Sequence, residues 1–435
     1  MTLPSKDDSL LIVGAGVFGL SLAYELTAVR GYTRVTVLDR HMPPVPDGSS
    51  NDLSRVVRAE YTDPLYSQLA IEAITEWRTT EWRDHYHESG YVMIIPNADS
   101  EWVTKYRALR EKQAVQQPMN IFAPDASESA IKRMYPCITT DLNGITTLQN
   151  DHAGWAHAHG AIRALANRCT LAGVSFVTGP RGTVTSLETS GKQVLGVRTA
   201  TGSIMKAKTV VLATGAWTNR LVSDMRQNIL GVSQPLAYIQ LSPKEAQSLE
   251  KMPVMVNTAT GLYCFPPDPV SHQLKVARHG YGYSNQVKLE DGREISSPRL
   301  MGNNAAVQDF LPADADRDLR EGAKAFWPQF GNRPWAKTRM CWYTDTPKSD
   351  FMVDYHPDMN GLFFATGGSG HGFKFLPVIG KHIADVFEDK AGPLFRERWA
   401  VRRPTDADSE PEMEGDGTRL GPRLRQLSKA EQAKL

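Results

Sequence analysis

The sequence predicts an α/β protein: a Rossmann-like dinucleotide-binding βαβ domain assembled from discontinuous segments, joined to an α+β second domain that is mostly antiparallel β. Three observations carry that reading. Leu10-Leu11-Ile12-Val13 is the unbroken apolar run of a buried parallel strand. It passes into Gly14-Ala15-Gly16-Val17-Phe18-Gly19, a helical pattern through Ala28, and a second strand, Val35-Thr36-Val37-Leu38, ending on Asp39. The strand-into-glycine-turn signal returns at Lys208 to Trp217 and at Gly361 to Gly368, the latter followed by a helix from about Leu376 to Glu388. Between these two returns, about Leu230 to Phe326 carries aromatics, prolines and short strand-like runs without helical periodicity.

Each element has a local reason. Gly14 permits the tight turn, Gly16 lets a pyrophosphate approach the backbone, and Gly19 lets the helix pack on the strand. The helix N-terminus presents about half a positive charge to the phosphates. Asp39 is placed to accept hydrogen bonds from an adenosine ribose. The unit therefore binds an adenine dinucleotide. A Pro/Gly/Ser-rich loop, His41 to Ser50, follows, and then Asn51-Asp52-Leu53-Ser54-Arg55-Val56-Val57-Arg58. Its two arginines face opposite sides if the segment is extended and share a side if it is helical, and a surface segment would also accommodate both. Pro64 to Trp82 is amphipathic through Leu65, Leu69, Ile74 and Trp77. Tyr91 to Ile95 reads as a strand, Ser100 to Ala114 as a charged helix, His157 to Ala172 as a helix and Val174 to Val177 as a strand. Lys208 to Trp217 places a second backbone turn near the dinucleotide.

The dinucleotide domain is thus expected from 1–90, 150–225 and 325–400, and the second domain from 91–149 and 226–324. From Pro404 the chain is polar, first acidic (Asp406 to Asp416) and then basic, so 401–435 is expected to be a flexible tail.

Composition narrows the classes. The 435 residues are 41% hydrophobic, and 49 basic against 48 acidic side chains give +1, which implies no broad field for nucleic acid or an anionic membrane. No run approaches a membrane span. Met1 to Ser9 is polar and leads straight into the first strand, leaving no room for a leader. Cys137, Cys169, Cys264 and Cys341 are scattered without a CxxC, so neither a metal knuckle nor a disulfide framework is expected. The absence of an Asn-x-Ser/Thr sequon agrees with an intracellular location.

Four blocks together resemble the monomeric sarcosine oxidase family of flavoproteins, and within it the fungal-type pipecolate, saccharopine and fructosyl-amino-acid oxidase branch. They are Gly14-x-Gly16-x-x-Gly19 with Asp39; Ser50 to Arg58; Cys341-Trp342-Tyr343-Thr344-Asp345-Thr346-Pro347; and Gly367-Gly368-Ser369-Gly370-His371-Gly372-Phe373-Lys374. The resemblance covers Leu10 to Lys390. It implies FAD, held covalently as an 8α-S-cysteinyl thioether at Cys341. The cofactor-binding set it implies is Gly14, Gly16, Val17, Phe18, Gly19, Asp39, Arg40, Ser50, Arg55, Gly215, Trp217, Cys341, Gly370, Gly372, Phe373 and Lys374. Arg58 and Lys374 match a carboxylate-binding pair, the first a bidentate fork and the second a point charge. Arg55 matches a residue beside the flavin ring, and Tyr343 one on the substrate side. Lys275 and His279, spaced Lys-x-x-x-His, match an oxygen-activating lysine and an active-site histidine. Asn51 departs from the pattern: sarcosine oxidases often carry a histidine there, so amine-side specificity does not transfer.

The resemblance implies an oxidase of a secondary amine or amino acid (pipecolate-, saccharopine- or N-methyl-amino-acid-like). A hydride goes to FAD, and O2 reoxidises the flavin to give H2O2 and an imine. Alternatives are a fructosyl amino acid (Amadori) oxidase, a biosynthetic oxidase whose imine or iminium closes a ring, an NAD-dependent dehydrogenase, or a flavin-binding module without turnover. The final Ala433-Lys434-Leu435 is one substitution from the Ser-Lys-Leu peroxisomal address, so an import receptor and a peroxisomal location are expected, with the cytoplasm as the alternative. No metal is implied, and the family implies a monomer.

Overall fold

The computed structural model describes residues 3–96, 101–112, 119–299, 309–402, 419 and 421–435. Leu10–Val13 is buried at all four positions, as a strand covered on both faces requires, and lies inside a six-stranded sheet. The order is Met352–Tyr355, Leu362–Thr366, Thr209–Leu212, Leu10–Val13, Val35–Leu38, Ser175–Val177, parallel throughout except at the antiparallel Met352–Tyr355 edge. The strand order places the turns after Val13 and Leu212 side by side, where a doubly wound sheet binds nucleotides. The helix Val17–Tyr24 packs on Ile379–Phe387 and Ala158–Leu171, closing one face of the sheet with an apolar core.

The second sheet is mostly antiparallel. Its order is Arg425–Gln426, Tyr283–Ser284, Leu230–Gln240, Gln273–Arg278, Leu262–Cys264, Val254–Asn257, Tyr91–Ile95, Thr146–Asn150, Asn120–Phe122. Lys337–Asp345 also joins Leu230–Gln240, antiparallel along its whole length. The fold class read from the sequence is the one observed. A small sheet, Arg55–Val57, Gly154–Ala156 and Tyr86–His87, joins the two parts. Arg55–Val57 is extended, so Arg55 and Arg58 serve different neighbourhoods.

Two expectations need correction. The boundary expected at 325 falls later, because Lys337–Asp345 belongs to the second sheet, and Phe326, Trp327 and Phe330 are buried in that sheet's core rather than in the nucleotide domain. The expected flexible tail is docked at its far end. Arg425–Gln426 pairs in parallel with Tyr283–Ser284, Leu427 is buried, and the Arg425 guanidinium bridges Asp314 and Glu431. A few anchors suffice where a polar segment adds a strand to an existing sheet edge. The acidic stretch Asp406 to Asp416 and the ends of the helix expected over Ser100 to Ala114 lie outside the described residues; Glu101–Lys112 is helical. No helix among the described residues is long and apolar enough to cross a membrane.

Candidate active site

A cavity of about 1050 Å³ runs from the glycine turn, past Asp39, Ser50 and Trp217, to Arg55, Arg58, Tyr343 and Lys374. Its nucleotide end is shaped by the lack of side chains. A Cβ on Gly14 (φ +110°) would sit 2.4 Å from the Ala213 carbonyl oxygen, and one on Gly19 would sit 2.0 Å from the Gly14 oxygen. The turn, the neighbouring strand and the helix can approach this closely only with glycine there. The Val17 amide donates to Ser50 Oγ at 3.0 Å, which joins the loop 41–50 to the helix start. Asp39 accepts from the Ala15 amide (2.7 Å) and the Arg40 amide (2.6 Å), and burial raises its pKa. Arg40 forks onto Asp47 and lies 4.9 Å from the Trp217 ring, whose buried indole N–H has no partner among the described residues. That orphan donor, the cradle and the acid at the second strand fit a dinucleotide.

Behind the middle of the cavity lies a buried charge cluster. The Asp52 carboxylate accepts from Lys275 Nζ (2.7 Å), Arg55 Nη1 (2.5 Å), Tyr238 Oη (2.6 Å) and the Leu53 amide (2.7 Å). Burial alone would raise the Asp52 pKa, but Arg55, Lys275 and Arg339 together hold it well below the usual carboxylate range. Burial pushes Lys275 down to about 8, with Asp52 partly offsetting it. For Arg55, burial opposes the charge, but Asp52, helped by Cys341, Tyr263 and Tyr343, more than compensates, so its pKa is raised. Arg55 also donates to the Ser49 carbonyl (2.7 Å) and to Cys341 Sγ (3.3 Å). Cys341 and Lys275, 2% and 1% exposed, are set just behind the cavity wall, while Trp342 and Tyr343 form the wall itself.

At the other end, two cations meet one ring. Arg58 Cζ and Lys374 Nζ each lie 5.1 Å from the Tyr61 centroid, a cation–π distance. Lys374 donates to Tyr61 Oη (2.7 Å) and the His371 carbonyl (3.0 Å), and Arg58 to the Glu60 carbonyl. Tyr61 Oη in turn lies 3.0 Å from His371 Nδ1, whose ring is fixed by the Ser349 carbonyl at 2.8 Å. Across the cavity, His279 Nδ1 is 3.4 Å from Tyr343 Oη. Gly370 (φ +75°) lies flat against Tyr343: a Cβ there would be 2.4 Å from the ring.

The structure thus brings together Arg55, Cys341 and Lys275 around Asp52, Arg58 with Lys374, and His279 with Tyr343. It places Gly14, Gly16, Val17, Phe18, Asp39, Arg40, Ser50, Gly215, Trp217, Gly370, Gly372 and Phe373 along the cavity, with Gly19 one turn behind. Sequence reading assigned no role to Asp52, Tyr61 or Tyr238. Asp52 and Tyr61 flank the two arginines, three residues from each, and that spacing was the available signal. Tyr238 is indistinguishable from core until the sheet register is known.

The family described as DAO, FAD dependent oxidoreductase, matches residues 9–386. The chain belongs to this family. It is an FAD-dependent oxidoreductase. L-saccharopine oxidase of Schizosaccharomyces pombe is 30% identical over 415 residues, covering 91% of this chain and 93% of its own length. Monomeric sarcosine oxidase of an Arthrobacter species is 24% identical, covering 88% and 92%. The crystal structure of fructosamine oxidase (Amadoriase II) from Aspergillus fumigatus superposes with a TM-score of 0.82 at 29% identity, covering 98% of this chain and 96% of that one.

Replacing Asp52 by Asn leaves Lys275 and Arg55 as buried charges without their carboxylate. This oxidoreductase is expected to lose about 3–5 kcal/mol of stability, read as a lower thermal midpoint and urea midpoint; midpoints within a degree of wild type would show that the cluster is not held by that charge.

Proposed function

We propose that this chain oxidises a secondary amine or amino acid, with FAD held by a thioether at Cys341. The observation that carries the reading is the convergence of Arg58 and Lys374 on Tyr61 at the edge of the cavity. Two cations brought to one ring repel each other, and an anion between them relieves that repulsion. A substrate carboxylate is such an anion, received by the fork of Arg58 and the point charge of Lys374. The names of the saccharopine and sarcosine oxidase relatives support an amino acid as its carrier.

FAD, when bound, would supply the redox chemistry: it would accept the hydride of the substrate C–H bond next to nitrogen, while the nitrogen gives up a proton and C=N forms, and O2 would take up the two electrons as H2O2. The chain supplies position and field. Carboxylate capture fixes one end of the substrate, and Tyr343 with His279 bounds its amine side. Arg55, donating to Cys341 Sγ, keeps a positive charge at the attachment point. Lys275 keeps a second charge close by, which favours a negative charge developing on oxygen. The resulting imine is hydrolysed by water. The likeness to a solved fructosamine oxidase favours a second reading, a fructosyl amino acid as substrate, on the same carboxylate site. A biosynthetic amine oxidase whose imine closes a ring would use it as well.

The test begins with the attachment. Acid-precipitated wild-type protein should stay yellow and carry the mass of FAD, and Cys341→Ala should release its flavin to the supernatant. An unchanged mass adduct in the variant would remove Cys341. Anaerobic bleaching should then be seen with one of pipecolate, sarcosine, saccharopine, proline or fructosyl-lysine; bleaching by simple amines lacking a carboxylate, and by none of these acids, would overturn the carboxylate reading.

Lys275→Met should slow the reaction of reduced enzyme with O2 by about a hundredfold or more, the scale of a lost preorganised charge, while sparing anaerobic reduction. The useful form of Lys275 is the protonated one and its pKa lies at about 8, so wild-type reoxidation should fall as pH rises through about 8. The variant should be flat there; a wild-type profile flat from pH 7 to 9 would exclude that role.

For location, we read Ala433-Lys434-Leu435 as an address for a peroxisomal import receptor. Lys434 Nζ lies 5.6 Å from the Phe310 ring and Leu435 packs on the Tyr283 cluster, so recognition requires release of this segment. Deleting Leu435 should move a fluorescently labelled chain from peroxisomes to the cytosol, and unaltered peroxisomal labelling would exclude the address.

A further inference from the structure

The docked C-terminal segment does more than cover a sheet edge. Its first described residue, Arg419, is 3% exposed and lies near Tyr343, which lines the cavity. Its guanidinium forks onto Asp345, in an ion pair whose side chains are 1% and 0% exposed, and donates through Nη2 to the Ser369 carbonyl at 3.2 Å. It also lies 5.9 Å from the Tyr343 ring. Asp345 ends the strand that carries Cys341 and Tyr343, and Ser369 lies in the Gly367–Gly372 turn that leads to Lys374. That turn is itself demanding: Ser369 holds φ +45° and Gly370 lies flat on Tyr343. One side chain from the C-terminal segment therefore ties together the two walls that Tyr343 and Lys374 present to the substrate.

Arg419 is held by Asp345 and the Ser369 carbonyl themselves, and the residues after it dock separately. A Cβ on Gly421 (φ +89°) would meet the Thr260 carbonyl oxygen at 2.9 Å, between the cavity-lining Ala259 and Gly261. Arg423 lies 4.9 Å from the Tyr281 ring, and Arg425–Gln426 extends the sheet. Only a guanidinium can fork onto a carboxylate and still reach a carbonyl on a second loop; an ammonium lacks that reach.

We propose that Arg419 is a positioning residue of the substrate pocket, setting the spacing between Tyr343 and Lys374 by bridging Asp345 and the Ser369 carbonyl. The inference rests on the reading of Lys374 as part of a carboxylate site. Loss of Arg419 uncouples the turn from the strand and leaves Asp345 as a buried negative charge close to that site. Both effects weaken binding of an anion.

The test titrates flavin-loaded protein with picolinate, a planar carboxylate that cannot be oxidised at the ring carbon, and follows the flavin absorbance. Wild type should show a saturable spectral shift. Arg419→Ala should raise the picolinate Kd and the KM for the bleaching substrate about tenfold, a loss equal to about 1.4 kcal/mol, with kcat within about threefold. Arg419→Lys should recover part of the affinity. Arg425→Ala, which loosens the segment far from the cavity, should lower the thermal midpoint and leave the Kd unchanged. A Kd within about twofold of wild type in Arg419→Ala, or an equal rise in Arg425→Ala, would overturn the proposal. If Arg419→Ala does not fold, Arg419→Gln, which keeps much of the volume and loses the charge and the fork onto Asp345, takes its place with the same reading. A wild-type protein blind to picolinate would instead defeat the carboxylate site, and this proposal with it.

Discussion

The structure depends most on one buried carboxylate. Asp52 follows the loop that borders the nucleotide cradle, yet its partners come from elsewhere: Lys275 and Tyr238 from adjacent strands of the second sheet, and Arg55 from the small joining sheet. Burying a lone carboxylate costs several kcal/mol, and burying Lys275 or Arg55 alone costs as much. Each charge is tolerable only because the others are present, so the domains are held in one register by electrostatics that neither could satisfy separately. That register brings Cys341, on the strand next to Tyr238, within reach of Arg55.

The same cluster explains how positive charge can stand at the middle of an apolar core. Lys275 is more than a buried lysine lowered by desolvation: it has a carboxylate and a carbonyl, that of Ser54, each at 2.7 Å. With a pKa of about 8 it is a cation at neutral pH that can lose its proton under mildly alkaline conditions. At the far end of the cavity the arrangement differs. Arg58 and Lys374 converge on the Tyr61 ring and donate to carbonyl and hydroxyl oxygens.

The nucleotide half of this design was legible because its signals are local. Gly14, Gly16, Gly19 and Asp39 act within one βαβ unit, and their spacing alone states the turn, the close approach and the acid. Arg58 and Lys374 could be matched through motifs but not through periodicity, since they lie on different segments and are brought together at Tyr61 by the fold. Asp52 was visible in its block but mute: an acid three residues before an arginine reads as a surface pair until the strand carrying Lys275 is laid beside it. Composition misled at the C-terminus, because Leu427 and a forked Arg425 anchor a segment whose average polarity suggests none. The boundary at 325 failed for a related reason. Cys341 lies beside Arg55, which follows the loop that borders the cradle, but its strand is held by the other sheet.

That strand also shows how two-residue periodicity organises the site. Along Lys337–Asp345, Arg339, Cys341, Tyr343 and Asp345 alternate onto one face. Arg339 donates to the carbonyls of Asn51 (2.6 Å) and Gly48 (2.8 Å), which fixes the loop over the cradle; Cys341 meets Arg55; Tyr343 meets His279; and Asp345 meets Arg419. A one-residue slip would turn all four away at once, so register is strongly specified here. Ser49 Oγ donates to the Trp342 carbonyl, adding a backbone tie on the same stretch. The loop 48–55, Cys341 and the cavity wall at Tyr343 are therefore aligned by one strand, four of whose alternate side chains have partners from different parts of the chain.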